Sequence, residues 1–178
     1  MGAESSVDVT YDLLTGEYLL LSFASDGPPG PPTLLPFSVV ETQDEAGEVP
    51  EADVEVSLVD FAFAIPAELK AGTQLWEIAN LGEQPHEMFM FRVDDDATLP
   101  DVTQALTTAM MTAEAGTPEM PFETAFAWTP MSPDTRAWVE VDLEPGTYAV
   151  VCFIPDTTSE AMVSHLEHGM IALVTVSD

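Results

Sequence analysis

Of 178 residues only three are basic and one is a cysteine, and no apolar run is long enough to cross a bilayer. Lys70, Arg92 and Arg136 stand against 32 acidic residues, for a formal net charge of −29. Nucleic acid and anionic lipid are bound by Lys and Arg neutralising phosphates, so this balance excludes both as partners. The single cysteine, Cys152, cannot close an internal disulfide and says nothing about redox compartment. The first 25 residues have no basic n-region, and Asp8, Asp12 and Glu17 interrupt their apolar run, so they do not read as a signal peptide. The expectation is either a cytosolic chain or one whose signal was removed ahead of this numbering. Ser/His/Asp motifs, Gly-rich phosphate loops and zinc signatures are all missing. Paired carboxylates carry no information among so many acids. An enzyme is therefore not expected.

What is present is a core. Apolar residues make up 46% of the chain, too many for a disordered polymer despite the charge. Strands are predicted near 53–60, 61–65, 73–80, 86–93, 136–143, 147–154 and 170–176. Val54, Val56 and Leu58 alternate with Asp53, Glu55 and Ser57, as on a half-buried strand. Ala71-Gly72, Leu81-Gly82 and Glu144-Pro145-Gly146 supply turns between them. Thr98 and Pro100 start one short helix over about 99–111, with Leu99, Val102, Leu106 and Met110 at helical spacing. A Pro-containing polar loop is expected from there to about residue 133. The fold class is all-β, a sandwich or barrel of short strands. Its acidic surface attracts cationic partners, such as a basic face of a redox protein, and also favours solubility.

The chain also repeats itself. At an offset of 130 positions, Val9, Asp12, Leu13, Gly16, Tyr18, Phe23 and Asp26 fall on Val139, Asp142, Leu143, Gly146, Tyr148, Phe153 and Asp156 without a gap. Residues 1–41 thus read as an extra N-terminal β segment, a degenerate copy of the last strands, with Ser22 in the place of Cys152. Residues 42–52 read as an acidic linker, and 53–178 as the main domain. Three strands cannot bury an apolar face alone, so the segment calls for something to pack on.

Chemistry concentrates in two stretches. One is NLGEQPHEMFMF, residues 80–91, with His86 after a turn. The other is CFIPDTTSEAMVSHLEHGM, residues 152–170, with Cys152, His165, His168 and Met170. A copper ion cycling between Cu(I) and Cu(II) is served by two imidazoles and a thiolate in a plane with a weak axial thioether. One upstream His followed by Cys, His and Met around a closing loop fits that need. Taken singly, each residue has a plainer reading: His86 a surface or core imidazole, Cys152 a small hydrophobe, Met170 core. Met88 and Met90 share a face after His86 and read as core. A different pairing, His86-x-Met88 with His168-x-Met170, would suit a Cu(I) chaperone.

LEPGTYAVVCFIPD followed by HLEHGM, with the upstream N-x-G-x3-H of Asn80, Gly82 and His86, resembles the cupredoxins, in particular a bacterial secreted group. The resemblance covers about residues 53–178. It implies a Greek-key β-sandwich and one type 1 copper whose ligands are His86, Cys152, His165 and Met170. The 13 positions from Cys152 to His165 are more than most blue copper proteins have, and His168 is an additional candidate. The resemblance implies an electron carrier on the periplasmic or extracellular side, working with a cationic redox protein. The alternative is a copper-free docking subunit on the outer face of a membrane redox complex, photosynthetic or respiratory.

Overall fold

A computed structural model of the chain describes residues 8–22, 31–41, 47–112 and 120–178. Phe23 and Asp26 of the repeat, residues 42–46 of the linker and residues 113–119 of the expected polar loop lie outside the described residues. The chain divides into two units, Met1–Tyr11 with Pro50–Asp178, and Asp12–Val49.

The larger unit holds two five-stranded sheets. The first has the order β1 (Val9–Asp12), β10 (Arg136–Leu143), β7 (Gly72–Asn80), β4 (Val54–Val59), β5 (Ala62–Ala64). The second has the order β6 (Glu68–Lys70), β12 (Ile171–Ser177), β11 (Gly146–Val151), β8 (His86–Val93), β9 (Glu123–Met131). The connections β7 to β8, β9 to β10 and β10 to β11 each pass from one sheet to the other, as a Greek-key sandwich requires. Most pairs are antiparallel, but β4 runs parallel to β7 and β12 parallel to β6.

Period-two patterning places the core. Val54, Val56 and Leu58 are buried, while Glu55 is exposed. With Trp76, Ile78, Val139 and Val141 they meet Met88, Met90, Tyr148, Val150, Val174 and Val176 of the second sheet. Met88 and Met90 are thus core, and each is fully buried. Strand β8 is covered on both faces, because Phe91 and Val93 point the other way, into a second cluster with Val102, Leu106 and Leu166. The helix α1 (Leu99–Thr112) supplies that cover, with Val102 and Leu106 buried one turn apart. Thr98 caps it, its Oγ1 accepting the Asp101 N–H, and Pro100 sits in the first turn, where no intrahelical N–H is lost.

Two strands escaped the sequence pattern. The expected loop before residue 133 contains β9, whose Phe126 and Trp128 stack at 6.3 Å. Pro130 disguises it, but β9 is the edge of its sheet, where a missing N–H costs no ladder bond. The other, β6, is only three residues long.

The smaller unit is the hairpin of β2 (Gly16–Ser22) and β3 (Thr33–Val39), paired from Gly16↔Val39 to Ser22↔Thr33. Strand β11 pairs with β12 in the same sense, from Gly146↔Val176 to Val151↔Ile171. In the hairpin the Tyr18 hydroxyl donates to the carbonyl of Leu14 at 2.7 Å. In the larger unit the Tyr148 hydroxyl donates to the carbonyl of Glu144 at 2.8 Å, the same four-residue step back.

Candidate metal centre

The upstream donor is aimed by the turn between β7 and β8. Asn80 is fully buried, and its side-chain amide donates to the carbonyls of Gln84 and Met131, 2.9 Å each. Its Oδ1 accepts the Gly82 N–H at 2.9 Å. The turn is pinned from inside, and His86 enters β8 with its side chain turned into the sandwich end. The N-x-G-x3-H spacing is thus a backbone device as well as a candidate ligand motif.

The downstream donors hang on a loop closed by its own backbone. The Cys152 N–H donates to the Met170 carbonyl, the Met170 N–H to the His165 carbonyl at 2.8 Å, and the His165 N–H to the Ile154 carbonyl at 2.8 Å. Gly169 takes φ 97°, a left-handed value that a side chain would strain, and so turns the chain into Met170. Gln84 ties this loop to the upstream turn, its Oε1 accepting the N–H of Thr157 at 2.7 Å and the hydroxyl of the same residue.

The side chains converge. Nδ1 of His86 lies 3.1 Å from Nδ1 of His165, which lies 3.4 Å from Sγ of Cys152. All three residues are fully buried, and their ligating atoms lie within 4.8 Å of one another. A point equidistant from such a trio is about 2 Å from each atom, the length of a metal–nitrogen or metal–sulfur bond. Two imidazoles and a thiol, soft and borderline donors without a carboxylate among them, fit one mononuclear copper of type 1. Met170 is fully buried in the same cluster as Cys152, tied by its backbone to both Cys152 and His165. His168 does not join them. Its Nε2 lies 3.2 Å from Asp156 Oδ2, its ring rests on Phe61 at 4.5 Å, and it is about a third exposed (34%). That separates His165 from His168, which the sequence left open.

Burial disfavours charge on Cys152 and His165. Burial pushes the Cys152 thiol up to about 11, with the backbone N–H groups of Glu87 and Ile154 pulling the other way. Burial also holds His165 below the usual imidazole range, and the nearby His86 adds to the effect. Its Nε2 is buried without a hydrogen-bond partner, and the edge of Phe61 covers the ring at 5.2 Å. Phe61 itself adopts φ 62°, uncommon for a bulky residue. Behind His86, Nε2 meets Oδ1 of Asp60 at 3.0 Å. Burial raises the Asp60 carboxyl, but the His86 contact and the N–H groups of Glu83 and Gln84 outweigh it and leave the group below the ordinary aspartate value.

No family model matches the chain, and no curated protein does. Solved structures do. Reduced auracyanin from the photosynthetic bacterium Roseiflexus castenholzii is 20% identical, over 70% of this chain and 95% of that one, with TM-score 0.42. Auracyanin A, a "blue" copper protein of Chloroflexus aurantiacus, is 14% identical over 69% and 99%, with TM-score 0.42. A purple cupredoxin from Nitrosopumilus maritimus is 16% identical over 70% and 100%, with TM-score 0.39. At these identities and TM-scores the neighbours add nothing about the site, which stands on its own donors and their spacing.

Asp60 and Phe61 were not legible as site residues. One aspartate among 32 acids has no signature, and no residue type announces a left-handed phenylalanine.

Proposed function

We propose that this chain is a one-electron carrier in which Nδ1 of His86, Nδ1 of His165 and Sγ of Cys152 would hold copper, with Met170 supplying a thioether. The observation that carries the reading is the buried convergence of two imidazole nitrogens and a thiol at 3.1 and 3.4 Å. Bound copper supplies the Cu(I)/Cu(II) couple. The protein's part is to fix three donors by backbone hydrogen bonds on two tethered loops, so that neither oxidation state asks them to move, and to keep water off them. Four protein donors leave no open position for a substrate, which suits a carrier rather than an enzyme. The net charge of −29 suits a cationic redox partner, met fast at low salt. An extracytoplasmic location, periplasmic or extracellular, belongs to the same reading. The test is copper titration of the metal-free protein. One equivalent should give a strong thiolate-to-copper absorption in the visible, and Cys152→Ser should abolish it. A fully loaded but colourless protein would refute the reading.

A second reading is supported by the smaller unit. The matching registers of β2–β3 and β11–β12, and two tyrosines each bonded four residues back, favour reading residues 1–41 as a degenerate copy of the last cupredoxin strands. Leu19, Leu20, Leu21, Leu34 and Leu35 of this hairpin are each about half exposed. Such a module would dock on a membrane redox complex, photosynthetic or respiratory, as an extrinsic subunit. Stable co-purification with such a complex without stoichiometric copper would favour this role over the carrier.

A further inference from the structure

His86 offers one ring nitrogen to the metal position and the other to Asp60. A carboxylate oxygen only accepts, so Nε2, 3.0 Å from Asp60 Oδ1, carries the proton. A neutral imidazole then has its lone pair on Nδ1, the atom that faces His165 and Cys152. Asp60 is itself held, accepting the Glu83 N–H at 3.1 and 3.2 Å and the Gln84 N–H at 3.3 Å. Gly82 closes over the contact. A methyl group there would sit 2.5 Å from Asp60 Oδ1 and 2.7 Å from His86 Nε2. Carboxylate and imidazole can meet only because residue 82 has no side chain.

Resting on the copper reading, we infer that Asp60 is a positioning residue that fixes the orientation and tautomer of His86 and, as a carboxylate rather than a neutral acceptor, lowers the reduction potential of the copper. A partner drawing on the Nε2 proton makes Nδ1 the stronger donor, and a stronger nitrogen donor stabilises Cu(II) more than Cu(I). A neutral acceptor in the same place would orient the ring without that bias.

Asp60→Asn makes the separation, because its amide oxygen still accepts from Nε2 while the charge is gone. Removing such a partner changes metal affinity about 10–100-fold. If that loss falls on Cu(II), the potential rises about 60–120 mV at 59 mV per tenfold for one electron. Glu83→Gln is the control, removing a charge from an exposed neighbour while keeping the backbone N–H that Asp60 accepts. Gly82→Ala keeps the charge but wedges the pair apart, and should also raise the potential. A readout without metal is the His86 Nε2–H proton in the NMR spectrum of the copper-free chain, present in the unaltered protein and lost in Gly82→Ala. An Asp60→Asn potential no higher than that of Glu83→Gln, with both proteins blue, would overturn the inference. Absence of the Nε2–H signal in the unaltered chain would overturn it as well. If Asp60→Asn does not fold, Gly82→Ala carries the potential test. If the unaltered chain gives no thiolate–copper absorption, the carrier reading fails, and the Nε2–H signal alone then decides whether Asp60 orients the ring.

Discussion

Loading copper into the metal-free protein at pH 8 should release one more proton per metal than loading the Cys152→Ser variant. The sulfur binds metal as thiolate, yet burial pushes the thiol up to about 11. At pH 8 it is therefore protonated, and producing the thiolate before binding costs about 4 kcal/mol at 1.36 kcal/mol per pH unit. Metal binding has to cover that cost. Apparent affinity should consequently climb about tenfold per pH unit from 7 to 10, relative to the variant, and level off as the solution reaches the thiol's own value. His165, held below the usual imidazole range, is already unprotonated there and brings no second proton. Anaerobic calorimetric titration with copper, run in two buffers of different protonation enthalpy, counts the protons directly. Competition with a chelator across pH gives the slope. Equal proton counts for the two proteins, or a difference in affinity that stays flat with pH, would show that Cys152 is not the ligand.

The same thiol makes the metal-free fold sensitive to alkali. The folded value of about 11 stands above the reference value of 9.0, so the folded chain keeps the proton longer. Its contribution is present in full below about pH 9 and is lost as pH rises through 11, about 3 kcal/mol in all. Urea unfolding at pH 8 and pH 11 should show that loss as the difference between the metal-free protein and Cys152→Ser. Asn80→Ala strips the upstream turn of two donors and one acceptor in a fully buried place. It should lower unfolding free energy by about 2–4 kcal/mol in urea, and a cost under 1 would mean that the turn holds without its amide.

How much of this the sequence disclosed depends on whether a residue's task follows from its chain neighbours. Val54, Val56 and Leu58 declared a strand because alternation is local, and β10 runs over the same residues, 136–143, that the pattern marked. The helix was equally plain from Val102 and Leu106. Strand β9 was hidden because its Pro130 reads as a breaker until one knows that it lies at a sheet edge. Cys152, His165 and Met170 stood out through their motif, and the structure gathers Cys152 and His165 with His86. The choice between His165 and His168 was not, since it turns on a hydrogen bond from His165 to Ile154 that buries one ring and leaves the other with Asp156. Asp60 meets His86 across 26 positions, through a chain reversal at Phe61 that no residue preference foretells.

The 13 positions between thiol and imidazole have a simple geometry. Pro155 bridges Ser164, and the Asp156 N–H donates to the Val163 carbonyl at 2.7 Å, so the backbone pinches shut where the excursion begins. From the viewpoint of the donors, His165 follows Ile154. Beyond Thr157, which is tied to Gln84, residues 158–163 form an appendix whose length and composition can change without moving the donors. Changes there can rewrite which surface the protein greets, while the three side chains at its neck keep their places.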